Sequence, residues 1–247
     1  MDFPTPTVST LPSTTAPEPQ QRGFGVRLAD IAALTDDGRT IVGQRRIPTL
    51  SAFNAAFAAF AQGTLFQAKD GLIAVEDLHP GDWIATADGS HEQVSWIGSA
   101  VFTPRDQGEP LQLTRAMPDS FGVSRPESYI SFGSAARVLQ TPPDLRATTG
   151  AKAIMTPVSR FTDGINVIDV TPPTPLRLFH VATRRHTALK AGGLEVESYH
   201  PGHSATEGLS NTLTTVFMSL FPHVQRLSDL GPLAYARAPE GPNARFV

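Results

Sequence analysis

GTLFQAKDGLIAVEDLHPGDWIATADGSHEQVSWIG, residues 63–98, is the stretch on which the fold turns. Short apolar runs (Leu65-Phe66, Leu72–Val75, Trp83–Thr86 and Val94–Ile97) alternate with punctuation at Asp70-Gly71, Pro80-Gly81 and Asp88-Gly89. Glycine reaches positive φ without a Cβ clash, and aspartate bonds its own backbone two residues on, so such pairs reverse the chain tightly. Short strands joined by Asp-Gly and Pro-Gly turns make an antiparallel meander. Asp77, Asp82 and Asp88 sit in those turns and read as local backbone acceptors rather than a catalytic set.

Downstream the pattern loosens. Strands are expected near Leu111–Thr114, Tyr129–Ser131, Arg137–Gln140, Ala153–Met155, Asn166–Val170, Leu176–Val181 and Thr187–Lys190. Proline joints at Pro142-Pro143 and Pro172-Pro173 and a turn at Gly192-Gly193 separate them. Leu209, Leu213, Val216, Phe217 and Leu220 then recur at helical spacing, which predicts an amphipathic helix broken at Pro222. Upstream, Ser51–Ala61 also predicts a helix, with Ser51 as cap and Phe53, Phe57 and Phe60 as one apolar stripe docking on the core. Arg22–Pro48, punctuated by Asp36-Asp37-Gly38, fits either a hairpin or a helix followed by a strand.

The chain has 247 residues, 40% hydrophobic and 17% charged. That is apolar enough for a core, with less charge than the roughly 25% usual in globular proteins. A formal charge of −3 gives no global reason to expect nucleic acid. With no cysteine, disulfides, cysteine-ligated metal and thiol nucleophiles are excluded. No run approaches the roughly 18 apolar residues of a membrane helix. Residues 1–21, rich in Pro, Thr and Ser, lack the basic start and apolar run of a Sec signal peptide and read as a disordered tail. Gly23-Phe24-Gly25 is no phosphate loop, because the third glycine and the following Lys-Ser/Thr are missing. The division expected is a tail over 1–21, an extension with a short helix over 22–58, a β domain over 59–204 and a helical tail over 205–247.

Gly63-Thr64, Gly71, Val75-Glu76-Asp77-Leu78 and Gly81-Asp82, continued by Trp83–Gly89 and Gln93–Gly98, resemble the opening of Hint domains, the Hedgehog/intein fold. The likeness is to the bacterial Hint-domain proteins found in alphaproteobacteria. A second stretch, Leu178–Val181, His186, Leu189, Ala191–Leu194 and Glu197–Tyr199, resembles the closing segment of the same family. The resemblance implies an all-β horseshoe of antiparallel strands around a central cleft. It also implies self-processing: a Cys thiolate attacks the carbonyl of the preceding residue, and a histidine protonates the departing amide nitrogen.

The same resemblance puts the nucleophile at Ala59 and the internal histidine at Ala136. Phe57–Gly63 holds no Ser, Thr or Cys, and no histidine lies between His91 and His180, so a shifted register restores neither. Self-cleavage is therefore expected to be lost, leaving a binding or structural module. The alternatives are residual autoproteolysis at Ala58-Ala59 through Thr64 or water with His180 or His186, and an export-associated surface protein. In the latter, removal of Leu209–Val247 would abolish binding without unfolding the domain.

Thr64, His180 and His186 are the vestigial-site candidates. His180 and His186 would share a face of an unbroken strand, whereas Arg184-Arg185 between them suggests a turn. Their functional reading is a proton-transfer or binding cleft; the plainer one is hydrogen-bonded structural histidines. His200 and His203 with Glu195 and Glu197 are metal-ligand types, but the spacing favours a polar turn with two solvated histidines. Arg184, Arg185 and Lys190 read as one basic patch or as solvated surface. No cofactor or metal is expected, a protein partner stays open, and the cellular location is not assigned.

Overall fold

The structure, a computed structural model, describes residues 25–106, 108–141, 153–202 and 204–238. The expected tail over 1–21, the Pro142-Pro143 joint and His203 lie outside the described residues. The Asp36-Asp37-Gly38 turn closes a hairpin of β1 (Val26–Leu34) and β2 (Thr40–Pro48), in register from Leu34↔Thr40 to Val26↔Pro48. Of the two readings left open there, the hairpin is the one found. Helix α1 (Ser51–Ala55) follows, then β3 (Phe60–Ala61), β4 (Leu65–Ala68), β5 (Gly71–Ala74), β6 (Trp83–Ala85) and β7 (His91–Phe102). The chain continues through β8 (Arg105–Asp106), β9 (Glu109–Pro110), β10 (Leu113–Ala116), β11 (Ile130–Phe132), β12 (Arg137–Gln140), β13 (Ile154–Pro157) and β14 (Val167–Val170). After β15 (Leu176–Thr183), β16 (Ala188–Ala191) and β17 (Leu194–Glu197) come helix α2 (Asn211–Met218) and β18 (Ala236–Arg237).

Among the described residues sixteen strands join one open sheet. Its path is β14-β10-β11-β3-β15-β7-β6-β4-β16-β17-β12-β13-β18, with β1 and β2 branching from β7 and β5 from β4. Its ladders are antiparallel except for β13 with β18, which run parallel. The all-β reading holds. No helix among the described residues is long and apolar enough to cross a membrane.

β7 and β15 run side by side through the middle, and both of their faces are covered, so each reads as a continuous buried run. On β15, Leu178 and Ala182 enter one core while Phe179 and Val181 enter the other, as the two-residue strand period requires. The register slips where Ala182 faces Trp96 but Thr183 faces Val94, leaving Ser95 as the extra residue. That bulge is why Val94 and Ile97, three apart, pack in the same core.

The helix expected over Ser51–Ala61 stops at Ala55, and Ser51 starts it rather than capping it from outside. Phe60 is drawn into β3, opposite Phe179 and Phe132, because pairing with two strands outweighs another helical turn. Phe53 and Phe57 pack under α2, whereas Phe60 packs in the other core, so the expected stripe is divided between two. The α2 prediction holds in place and kind. Ser210 caps it by accepting the Leu213 N–H at 3.3 Å. Beyond the helix, Phe221 stacks on Tyr199 at 5.6 Å, and the Trp96 indole N–H donates to Leu220 O at 2.7 Å.

Candidate functional site

The turn after α1 delivers the Ala58-Ala59 peptide to the start of β3, in the middle of the sheet. The Ala59 N–H donates to Phe179 O at 3.1 Å, and Ala59 O accepts from Gly133 N–H at 2.8 Å. The Ala58 carbonyl accepts from Ala135 N–H at 2.8 Å. The loop from Gly133 to Ala136 thus lies hydrogen-bonded against the peptide, and the contact requires glycine: a Cβ on Gly133 would sit 2.3 Å from Ala58 O. Ala59 and Ala136 are both buried, and Ala136 N–H donates to Gly133 O at 3.2 Å. The two positions that sequence reasoning singled out, far apart in the chain, meet at one place.

His180 reaches the same region from β15. Its Nδ1 lies 2.9 Å from Ala55 O, and a carbonyl only accepts, so Nδ1 carries the proton and donates. Burial pushes the imidazole down to about 4, outweighing the Ala55 hydrogen bond and the Glu197 carboxylate, which favour the charged form. The ring is therefore neutral at neutral pH, with an unprotonated Nε2, and packs edge-on against Phe60 and Tyr199.

The other two candidates lie apart from His180. Thr64 donates its hydroxyl to Ala61 O at 2.7 Å, closing the turn between β3 and β4. It lines a separate cleft of about 760 Å³ with Arg115, Tyr129 and Lys190. His186 follows the end of β15 at Thr183, so the unbroken-strand alternative does not apply. Ala234 N–H donates to its Nδ1 at 2.9 Å, which leaves Nε2–H to donate to Glu197 at 2.9 Å.

Glu197 is the hub of a buried polar cluster. Burial alone would raise its carboxyl, but the His186 hydrogen bond, Arg237 (2.8 Å) and Arg137 (3.5 Å) outweigh that and hold it at about 2. Arg237 also donates to His200 O at 2.6 Å. His200 is buried rather than solvated, a correction to the polar-turn reading. It receives Gly202 N–H on Nδ1 at 3.0 Å and donates from Nε2 to Gly231 O at 2.9 Å, and burial lowers its pKa. Glu195 pairs with Arg125. Among the described residues no three His, Asp or Glu side chains are grouped to hold a metal. Of the basic residues, Arg185 pairs with Glu92 and Arg184 bonds Gln93, while Lys190 lines the large cleft.

Between α1, the Ala135–Arg137 segment and β15 lies a cavity of about 120 Å³, lined by Ala55, Ala135, Arg137, His180, Tyr199 and Arg237 among others. It offers two guanidiniums, a phenol and the imidazoles of His180 and His200, and no Ser, Thr or Cys side chain. Sequence reasoning missed Arg137 and Arg237. Arg237 belongs to no motif and reaches Glu197 only through the parallel pairing of β18 with β13.

A family profile described as a Hint domain matches residues 58–203. Among solved structures, the chain is similar to the bacterial intein-like domain from Clostridium thermocellum, at 14% identity and a TM-score of 0.40, covering 58% of this chain and 99% of that one. It is also similar to the MchDnaB-1 intein, at 14% identity and a TM-score of 0.37, covering 57% of this chain and 100% of that one. No curated protein matches.

Proposed function

This chain belongs to the Hint domain family, related to inteins and self-processing proteins, and from that premise we propose that it no longer cleaves itself and serves as a binding or structural module. The observation that supports this reading is the Ala58-Ala59 peptide itself. It lies buried, bonded to the Gly133–Ala136 loop, with alanine at both positions where the family's chemistry needs a nucleophile and a proton donor. Neither methyl group attacks a carbonyl or donates a proton. His180 has its N–H committed to Ala55 O and, being neutral, offers an acceptor on its other nitrogen. Loss of a general acid alone costs about 10²–10⁴-fold in rate, and loss of the nucleophile more.

The test is the intact mass of freshly made full-length chain, followed through long incubation with and without hydroxylamine. One species at full mass throughout is expected. Two fragments meeting at the Ala58-Ala59 bond would overturn the proposal and direct mutagenesis to Thr64 and His180.

A further inference from the structure

We infer that the Asp70-Gly71 pair is where this chain converts aspartate to isoaspartate, ahead of its other Asp-Gly pairs. The inference does not depend on whether self-cleavage is lost.

The chemistry needs only the chain and water. The main-chain nitrogen of Gly71 attacks the side-chain carboxyl carbon of Asp70. A new N–C bond forms, the amide hydrogen leaves with the carboxyl hydroxyl as water, and a cyclic imide closes. Water then reopens the ring at either carbonyl. Addition at the side-chain carbonyl restores aspartate. Addition at the main-chain carbonyl breaks its bond to the Gly71 nitrogen, so the chain continues through the side-chain carboxyl and the main-chain carboxyl is freed. Two conditions favour ring closure: no Cβ on the attacking residue, and a carboxyl free to take up a proton and turn toward that nitrogen.

Asp-Gly occurs four times, at Asp37-Gly38, Asp70-Gly71, Asp88-Gly89 and Asp163-Gly164, and all four pairs are exposed. Hydrogen bonds to the carboxylates tell them apart. Asp37 accepts from the Thr35 hydroxyl and from Arg39 Nε at 2.6 Å. Asp88 accepts from the Thr86 hydroxyl, and from the Ser90 N–H at 3.0 Å and its hydroxyl at 2.8 Å. Asp163 accepts the N–H groups of Ile165 (2.8 Å), Asn166 (2.7 Å) and Val167 (2.9 Å), and the Asn166 side-chain amide at 3.0 Å. Such bonds favour the ionised form, which resists attack, and they fix the carboxyl plane. They hold all three carboxyls below the usual range: Asp37 chiefly through Thr35, Asp88 through Thr86 to about 2, and Asp163 through the Val167 N–H. Asp70 differs. Among the described residues its carboxylate accepts no hydrogen bond and pairs with no cation.

Isoaspartate at Asp70 adds a main-chain carbon to the turn between β4 and β5, next to the Ala68↔Gly71 pair that starts their register. The following pair, Gln67↔Leu72, lines the large cleft with Thr64, so the modification falls on the wall of that cleft.

The experiment incubates full-length protein at neutral pH for several weeks in water enriched in heavy oxygen, then digests it in ordinary water and maps the peptides by mass spectrometry. Each imide opening leaves one heavy oxygen on the residue, and Asp-N protease, which cuts before aspartate but not isoaspartate, separates the two products. Label at Asp70 is expected to accumulate about tenfold or more faster than at Asp37, Asp88 or Asp163, the weight of one hydrogen bond to a charged group. In guanidinium chloride the four rates are expected to converge, because the bonds that separate them belong to the fold. Thr35→Val, which removes one donor from Asp37, is expected to raise the rate at Asp37 alone. Equal rates at the four pairs of the folded chain, or any pair faster than Asp70, would overturn the proposal. So would an unchanged ranking in guanidinium chloride, which would assign it to local sequence. If Thr35→Val fails to fold, the comparison of the four pairs in the parent chain still decides.

Discussion

Burial of the His180 ring, and the His186 and arginine partners of Glu197, each destabilise the fold on acidification, over successive pH ranges. His180 falls to about 4 in the folded protein from 6.5, so between these values the unfolded chain takes up the proton first. Glu197 falls to about 2 from 4.5, so from 4.5 downward the unfolded chain again binds the extra proton. Stability against urea is therefore expected to decline as pH drops from about 6.5 to 4 and to keep declining toward 2. His223, also pushed down to about 4 by burial, adds to the upper range, so His180→Gln should shrink that slope without abolishing it. A urea midpoint flat between pH 6.5 and 4 would contradict the assignment. Only part of this site was legible beforehand. The expected positions Ala59, Ala136 and His180 come from the family resemblance, which is carried by local runs of sequence. The roles of Arg137, Arg237 and His200 are set by contacts between segments far apart in the chain, and no local pattern records those.

Turn chemistry made most strands legible. Asp-Gly and Pro-Gly pairs specify reversals locally, and Arg137–Gln140 emerges with the boundaries expected. Where local preference competed with long-range pairing, the local reading failed: alanine-rich Ser51–Ala61 favours a helix, yet Phe60 belongs to the sheet. The apolar face of α2 was recognisable too, but its partner was not. Its Phe217 packs on Phe53 and on Phe221 just beyond the helix, and Phe221 in turn packs on Trp96 and Tyr199. Phe221→Ala is expected to cost about 3–5 kcal/mol, read as a fall in thermal and urea midpoints. A change within experimental error would mean that α2 is a detachable appendage, as the export-associated reading required.

Three segments distant in sequence meet at the Ala58-Ala59 peptide: β3, the Gly133–Ala136 loop and β15. If the scaffold is retained and only the two chemical groups are missing, replacing them should recover activity. Ala59→Cys combined with Ala136→His is expected to release a fragment ending at Ala58 when thiol or hydroxylamine is present. Either single variant should be slower by about 10²-fold or more. Both sites are buried, so overpacking is the risk, and circular dichroism must confirm a folded double variant first. A folded but inert double variant would mean that positioning beyond these two residues has been lost. The central placement of β7 has a separate consequence, for the order in which the chain can fold during synthesis. Two of its neighbours, β1 and β6, emerge from the ribosome before β7, but β15, which aligns His180 with Gly98, emerges long after it. The nascent chain must therefore carry a half-covered central strand, open to mispairing with other nascent chains, from the completion of β7 at Phe102 until β15 and then Phe221 arrive.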